Sequence, residues 1–243
     1  MSSLRQDKIR RHYDSVADTY DHHYDCHRGR HYHTHISSYL IKALPEQGRL
    51  LDIGCGTGLF IEKYIKNGGT AVGLDISSKM VERARCRLDT CTFAVGNGET
   101  LPFKDNSFDG ISSLLVFSYV RDPDRMLSEA FRVLRPGGSI AICTLGKKLI
   151  TRGIPALYEL SEKIHVKHVV MKNFGEHYYD EAEMHTLFDA TGFDDIAIRW
   201  CSFAHIDMAD PVYKLASQIE PFVEKRIPQL AFNIFVSGKK PAN

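Results

Sequence analysis

The sequence lacks several features that would assign it to a specialised class of protein. None of its six cysteines stands in a Cys-x-x-Cys pair, which argues against a disulfide framework and leads us to expect a reducing, cytoplasmic location. No run of 18 apolar residues occurs, so we expect no membrane-spanning helix, and the first residues lack the apolar stretch of a signal peptide. Lysine and arginine (31) exceed aspartate and glutamate (30) by one charge, so no overall field would attract nucleic acid.

The composition is that of an ordinary globular protein, with 43% hydrophobic and 25% charged residues. A chain of 243 residues is long enough to bury a sizeable core, and we expect one domain over residues 1–243. No internal repeat and no linker rich in proline, glycine or serine divides it.

Strand-like and helix-like segments alternate from about residue 49 to residue 145. Short apolar segments predict strands at 49–53, 70–76, 90–95, 108–117 and 139–145. Between them, apolar residues at helical spacing predict helices at 59–66, 77–88 and 123–134. Such alternation predicts βαβ units and a doubly wound α/β fold, whose ligands bind at the carboxyl ends of the strands.

The last third of the chain is less regular. The sequence predicts a helix from Asp180 to Thr191 that ends at Gly192, followed by strands at 195–203 and 231–237. Two amphipathic stretches, 151–172 and 207–229, are predicted to be helical insertions.

The most informative stretch is the glycine-rich loop of Leu51-Asp52-Ile53-Gly54-Cys55-Gly56-Thr57-Gly58. Glycines between a strand and a helix let the backbone approach a ligand closely. Their G-x-G-x-G spacing differs from the G-x-G-x-x-G of dinucleotide-binding loops. Asp75 ends the next strand, where its carboxylate can accept hydrogen bonds from a ribose diol. The alternative role of Asp75 is to stabilise the start of the following helix near Ser77.

A second polar loop follows the third predicted strand, with the sequence GNGETLPF and then SFD. Its polar groups can contact the edge of an adenine ring. The alternative is an ordinary turn in which Leu101 and Phe103 fill the core.

Together these segments resemble the class I S-adenosylmethionine-dependent methyltransferases. They are most similar to the small-molecule branch (methyltransferase type 11) that includes the quinone-ring C-methyltransferases. Four motifs match in order and spacing over residues 50–142: LLDIGCGTG, VGLDIS, GNGETLPF with SFD, and FRVLRPGGSIAI. The resemblance implies a Rossmann-like seven-stranded sheet, mostly parallel with an antiparallel last strand, plus helical lid insertions. It divides the chain into a helical lid (1–45), a cofactor-binding core (46–146) and a C-terminal part (147–243).

The resemblance also implies how S-adenosylmethionine binds. The glycine loop would hold the methionine and ribose parts, Asp52 the amino group, Asp75 the ribose hydroxyls, and Asn97 with Gly98 the adenine edge. The N-terminal segment YDSVADTYD resembles the family's opening helix, whose tyrosine covers the cofactor. The predicted cofactor-binding residues are Tyr20, Asp52, Gly54, Gly56, Gly58, Asp75, Ile76, Asn97, Gly98, Glu99 and Leu114.

Two departures from the family concern specificity. Asn97 stands where the family more often has aspartate, and Ser118-Tyr119 replaces a frequent His-His pair, so the acceptor cannot be inherited. Apolar and aromatic residues in the insertions suggest a hydrophobic or aromatic small molecule, and the alternatives are ordinary helix packing or a dimer contact. The predicted substrate-contacting residues are His27, Arg28, Ser118 and Tyr119. No catalytic residue is assigned, and the candidates for a general base are His27, His165, His168, His177 and Tyr119.

Seven of the twelve histidines lie within the first 35 residues. His31 and His35 would share a helix face, yet no second ligand pair on another element is evident, so we predict no metal site. The alternatives are a polar lid in which Arg28 and Arg30 pair with an acidic substrate, or a solvated helix face.

The sequence thus predicts in-line methyl transfer from S-adenosylmethionine to a small molecule, leaving S-adenosylhomocysteine, by a monomer or homodimer. The first rival is a protein that binds the cofactor without transfer, as a regulator or partner subunit. A nicotinamide-dependent oxidoreductase is disfavoured by the G-x-G-x-G spacing. A nucleic-acid methyltransferase is disfavoured by the near-neutral charge and the lack of an Asn-Pro-Pro-Tyr-type motif.

Overall fold

The computed structural model describes residues 2–147, 175–206, 208 and 210–242. Seven strands form one sheet in the order β3-β2-β1-β4-β5-β7-β6, and all neighbours are parallel except β7, which is antiparallel to β5 and β6. The predicted α/β sheet with an antiparallel last strand is therefore confirmed. The strands are β1 (Arg49–Ile53), β2 (Thr70–Asp75), β3 (Thr92–Val95), β4 (Phe108–Leu114), β5 (Leu134–Leu145), β6 (Asp194–Cys201) and β7 (Asn233–Lys239).

Helices cover both faces of this sheet. The described α-helices are α1 (Ser2–Val16), α2 (His22–Asp25), α3 (His27–Ala43), α4 (Leu59–Ile65), α5 (Ser78–Arg87), α6 (Pro123–Val133), α7 (Glu181–Thr191) and α8 (Asp210–Arg226). Adjacent β1 residues point to opposite faces, so Leu50 packs with Leu40 and Ile61 while Leu51 packs with Leu127 and Val133. The core is thus split into two layers by the sheet. No helix among the described residues is long and apolar enough to cross a membrane.

Local sequence signals explain where several helices begin and end. The Ser77 hydroxyl accepts a hydrogen bond from Met80 N (3.1 Å) and caps α5. Asp122 caps α6, which starts at Pro123. Asp180 and Glu183 form a reciprocal capping box at α7, and that helix ends at Gly192 in the left-handed conformation.

Two strand boundaries of the central sheet were predicted wrongly. β5 begins at Leu134 rather than at 139, because Leu134 pairs with Phe108 before the register shifts to Gly110 opposite Ser139. The Pro-Gly-Gly that predicts a turn is accommodated as an irregularity inside the strand, and α6 stops one residue short of the predicted 134. β4 ends at Leu114 rather than 117, because Leu115 takes a positive φ of 60° and Phe117–Tyr119 form a 3-10 helix.

The C-terminal strands are each offset from the prediction by one or two residues. β6 spans Asp194–Cys201, where a register shift places Asp195 at a φ of 55°. The predicted helical insertion at 207–229 corresponds to α8 and a 3-10 helix at Pro228–Leu230. The predicted insertion at 151–172 lies outside the described residues.

Candidate active site

A cleft lies at the carboxyl ends of β1, β2 and β4, where the fold predicts a ligand. Its empty space, including the part open to solvent, is about 820 Å³. Nine of the predicted cofactor-binding residues line it: Tyr20, Gly54, Gly56, Asp75, Ile76, Asn97, Gly98, Glu99 and Leu114. Gly58 and Asp52 are placed elsewhere, as described below.

The glycine loop forms the floor of the cleft. Gly54 has a φ of +79°, and a Cβ atom there would lie 2.2 Å from Val116 Cγ2. The N–H groups of Gly54 and Cys55 both donate to Leu74 O, which fixes the loop against β2. Gly58 does not line the cleft. With a φ of +85° it begins α4 and faces Ala84.

Asp75 links the glycine loop to the start of α5. Its carboxylate accepts hydrogen bonds from Gly56 N (2.9 Å) and Ser77 N (2.8 Å) while lining the cleft. Burial raises the pKa of this carboxyl, and the backbone hydrogen bonds act in the opposite direction. The same side chain therefore makes the helix-start contact and borders the predicted ribose position.

Asp52 lines a second, smaller cavity on the other side of the glycine loop, with an empty space of about 390 Å³. Burial raises the pKa of Asp52 to about 7, against the hydrogen bond that it accepts from Ser112 Oγ (2.7 Å). His33 borders the same cavity. Burial, with the charges of Lys63 and Arg87, lowers the pKa of His33 to about 3, so the imidazole is neutral. The two cavities share five lining residues, which are Tyr20, Gly54, Gly56, Leu114 and Leu115.

The loop after β3 forms one end of the cleft. Asn97 Oδ1 accepts a hydrogen bond from Glu99 N (3.0 Å), which closes a local turn. The Glu99 carboxylate is 3% exposed and accepts hydrogen bonds from Gln6 Nε2 and Arg121 N, both at 3.0 Å. Glu99 therefore connects this loop to α1 and to the segment before α6. A Cβ atom on Gly98 would lie 2.8 Å from Ile53 Cγ2, so the loop packs closely on β1.

The N-terminal segment lies over the cleft. Gln6, Ile9 and Tyr13 of α1, together with Tyr20, line it from above. Tyr13 shares a side-chain hydrogen bond with Tyr119, and burial raises the pKa of both hydroxyls. Their protons are therefore retained at neutral pH.

Polar contacts attach this segment to the glycine loop and to α5. Asp14 Oδ1 accepts from Ser77 Oγ (2.6 Å), and Asp21 Oδ1 accepts from Thr57 Oγ1 (2.6 Å). Asp18 pairs with Arg83 at 2.5 Å. These contacts hold the tyrosines of the N-terminal segment against the glycine loop.

Of the predicted substrate residues, the structure brings only Tyr119 to the cleft. Ser118 is fully buried, and its hydroxyl lies 2.6 Å from Thr144 Oγ1. His27 is exposed at the start of α3, and Arg28 pairs with Asp210 of α8 at 3.2 Å.

Of the other three candidates for a general base, one lies away from the cleft and two lie outside the described residues. His177 lies in a separate shallow groove, 3.4 Å from Glu183. His165 and His168 lie outside the described residues.

Several residues that line the two cavities were not predicted from the sequence. Among them, Ile9 and Tyr13 are one helical turn apart on α1, a spacing that signals a shared face without saying what the face covers. Met126 and Val116 are apolar and resemble core residues in sequence. His33 lies within a histidine-rich segment, and nothing in its spacing distinguishes it from its exposed neighbours.

Comparison with known proteins identifies the central segment. Residues 51–142 match the sequence model of the family described as methyltransferase domain. The chain is 33% identical over 156 residues to the biotin biosynthesis bifunctional protein BioHC of Cellvibrio japonicus, covering 63% of this chain but 31% of that protein. It is 28% identical over 170 residues to the demethylmenaquinone methyltransferase of Renibacterium salmoninarum, covering 65% of this chain and 71% of the relative.

The fold comparison agrees with these matches. A solved S-adenosylmethionine-dependent methyltransferase from Thermotoga maritima superposes with a TM-score of 0.65 at 24% identity. The superposition covers 96% of this chain and 99% of that one, so the two share a fold over nearly their whole lengths. Residues 51–142 thus match the methyltransferase domain family, and the fold around them is similar to that of the solved methyltransferase.

Proposed function

We propose that this protein transfers the methyl group of S-adenosylmethionine to a small hydrophobic or aromatic acceptor. The observation that carries the proposal is the cleft, which gathers nine of the eleven predicted cofactor residues around one space. Five segments distant in sequence meet there: α1 with Tyr20, the glycine loop, the end of β2, the loop after β3 and the end of β4.

The cleft suits the nucleoside half of the cofactor. Asp75 supplies a buried carboxylate for the ribose diol, at the end of β2. Ile76, Met80 and Met126 form apolar walls that suit the faces of a purine ring. The loop of Asn97 and Gly98 lies beside them, where the adenine edge is expected.

The second cavity suits the amino-acid half. It offers the Asp52 carboxylate for an ammonium group, and the His33 ring with the glycine-loop backbone for a carboxylate. Because the cavities share Gly54, Gly56 and Leu114, one extended ligand can reach both. The residues present therefore fit S-adenosylmethionine, which when bound supplies an activated methyl group on sulfur.

The chain's own contribution is to position the reactants and to exclude water. Positioning two reactants can supply up to about 7–11 kcal/mol of the barrier reduction. Of the predicted lid over residues 1–45, we assign α1 and the segment that ends at Tyr20 as the cover of the site, because Ile9, Tyr13 and Tyr20 form its roof, whereas α3 packs in the core against the sheet. The protonated hydroxyls of Tyr13 and Tyr119 are hydrogen-bond donors that can orient an acceptor, while the tyrosine rings favour an aromatic one.

The first test is isothermal titration of the purified protein with S-adenosylmethionine, S-adenosylhomocysteine and NAD in parallel. We expect micromolar binding of the two sulfur nucleotides and none of NAD. Methyl transfer from labelled cofactor is then measured against a panel of phenols, quinols, amines and carboxylates. NAD binding without binding of the sulfur nucleotides would contradict the proposal. Tight binding without transfer to any acceptor would favour the rival function, a cofactor-binding regulator or partner subunit.

A further inference from the structure

We propose that His35, Glu220 and Glu224 bind a divalent zinc-type metal ion between α3 and α8, at a site separate from the cleft. One ligand atom from each residue lies within 4.8 Å of the other two. His35 Nε2 is 2.7 Å from Glu224 Oε1 and 3.8 Å from Glu220 Oε2. Imidazole nitrogen and carboxylate oxygen together are a ligand set that zinc accepts.

Each of the two helices carries a pair of side chains with ligand atoms four residues apart. Glu220 and Glu224 are four residues apart, so their side chains share one face of α8. On α3, His31 and His35 are also four apart, and their rings are stacked with an interplanar angle of 4°. The sequence shows only the histidine pair, and the structure supplies the missing pair of acidic ligands from a helix about 185 residues further on.

Outer contacts already orient the carboxylates. Ser202 N donates to Glu224 Oε1 (2.6 Å), and Tyr39 OH donates to Glu224 Oε2 (2.6 Å). Ala204 N donates to Glu220 Oε1 (2.8 Å). Metal-binding carboxylates are typically held in place by such hydrogen bonds. The ligand atoms therefore need little rearrangement to bind an ion.

One ligand atom of the cluster has only a distant partner. Glu220 is 3% exposed; its Oε1 atom accepts the hydrogen bond from Ala204 N, whereas its Oε2 atom lies 3.8 Å from His35 Nε2, beyond hydrogen-bond distance. Burying an anionic oxygen without a close partner is costly. Two carboxylates, Glu220 and Glu224, also face a single imidazole, so a bound cation would balance the second carboxylate.

The geometry suits a site with three protein ligands. Around tetrahedral zinc, with ligands at about 2.0–2.2 Å, neighbouring ligand atoms lie about 3.3 Å apart. The distances of 2.7 and 3.8 Å bracket that spacing. On binding, the ion takes the place of any proton on His35 Nε2, which is released to solvent, and a water molecule completes the coordination.

Such an ion would join three parts of the fold. α3 carries His35 and, two residues earlier, His33 of the second cavity. The segment of Ser202 and Ala204 follows β6 and is bonded to both acidic ligands. We therefore expect the metal to stabilise the packing of α8 on α3, as a ligand that binds only the folded state does.

The test is zinc titration of the full-length, tag-free protein after treatment with a chelator, followed by isothermal titration and elemental analysis. We expect about one zinc per chain with micromolar affinity or better, and a higher Tm in the presence of zinc. Glu220→Gln keeps an oxygen for the Ala204 hydrogen bond while removing the anionic ligand. Glu220→Gln and His35→Gln are each expected to weaken zinc binding by more than the roughly 10- to 100-fold that is typical of losing an outer-shell partner.

His23→Gln is the matched control, because His23 is exposed in the same histidine-rich segment and lies outside the cluster. Circular dichroism and S-adenosylhomocysteine binding verify that each variant is folded. Cobalt substitution gives a second readout, since its visible absorption reports imidazole and carboxylate ligation directly. The proposal is overturned if the wild-type chain takes up no zinc. It is also overturned if His35→Gln and Glu220→Gln bind zinc as tightly as the wild-type chain does.

Discussion

The two cavities on either side of the glycine loop are built from different chemistry. The larger cleft has apolar walls and a roof of tyrosines, with Asp75 as a buried carboxylate whose oxygens are already hydrogen-bonded. The smaller cavity holds Asp52 and His33. Burial raises the pKa of Asp52 to about 7 and lowers the pKa of His33 to about 3, which favours their neutral forms. One loop thus separates a space suited to rings from a space lined by polar side chains.

This difference shows how a single backbone turn serves two kinds of recognition. Gly54 and Gly56 line both cavities and contribute backbone, while the distinguishing side chains come from other elements. Substitutions in the wall that the cavities share, at Gly54 or Gly56, should therefore affect both cavities. A substitution of a side chain that lines only one cavity should affect that cavity alone.

The largest effect is expected at the shared wall. Gly54→Ala forces alanine into a φ of +79° and places its Cβ atom 2.2 Å from Val116 Cγ2. Positive φ costs about 1–2 kcal/mol, and overpacking a further 1–3 kcal/mol or so. We expect the free energy of unfolding, measured in urea, to fall by about 2–5 kcal/mol, with loss of cofactor binding.

Gly137→Ala is the matched control for this substitution. Gly137 has a φ of +78°, yet a Cβ atom there would meet nothing within 4 Å. It should cost only the backbone term of about 1–2 kcal/mol and leave cofactor binding intact. Equal destabilisation by the two variants would contradict the packing argument at Gly54.

Asp75→Ala tests the larger cleft. Loss of charge-assisted hydrogen bonds should weaken cofactor affinity by about 2–3 kcal/mol, or roughly 30- to 150-fold, as measured by isothermal titration. Asp14→Ala is the control, because the Asp14 carboxylate also contacts the start of α5 through Ser77 but does not line the cleft. If both variants lose the same affinity, Asp75 acts through the helix start and the ribose assignment is wrong.

Asp52→Asn tests the smaller cavity through pH. The folded-state pKa of about 7 lies above the ordinary 3.8, so the folded protein holds a proton that the unfolded chain releases. Asp52 therefore stabilises the fold below pH 4, and this contribution is lost as pH rises from about 4 to 7, by up to about 1.4 kcal/mol per pH unit. Asp52→Asn keeps the shape and removes the titration.

Urea unfolding of wild type and Asp52→Asn at pH 5, 6 and 7 measures this contribution. We expect the variant to gain stability relative to wild type with each step. A constant difference between the two proteins would show that Asp52 does not titrate in this window.

The smallest effects are expected at two of the predicted substrate residues. Tyr119→Phe removes the hydrogen bond with Tyr13 and should lower the free energy of unfolding by about 0.5–1.5 kcal/mol. His27→Gln changes an exposed side chain and should stay within about 0.5 kcal/mol of wild type. Loss of activity in His27→Gln with normal stability would restore His27 as a substrate residue.

The parts of the fold that the sequence predicts well are local. β1, α4, β2 and α5 follow one another with short connections, and the cap that Ser77 makes with Met80 N spans only three residues. The start of β5 was mispredicted because Pro-Gly-Gly resembles a turn when read alone. Its extended path depends on the pairing of Leu134 with Phe108, 26 residues away.

The candidate site also consists of residues that local sequence predicts and residues whose roles depend on distant partners. The glycine loop and Asp75 are evident from spacing, because each lies directly at a strand end. Gln6 reaches Glu99 across 93 residues and His35 reaches Glu224 across 189, and no local pattern encodes such partners. Ser118 illustrates the converse, since its neighbour Tyr119 enters the cleft while Ser118 itself bonds to Thr144 in the core.

The antiparallel direction of β7 has a practical consequence for the experiments above. Asn233 pairs with Leu145 at the carboxyl end of β5, whereas Lys239 pairs with Ser139, about 20 Å further from the cleft. The chain therefore leaves the sheet on the side opposite α1, whose Gln6 lines the cleft. A chemical label on Ala242 would therefore leave the mouth of the site unobstructed, while one on Leu4 of α1 would lie beside it.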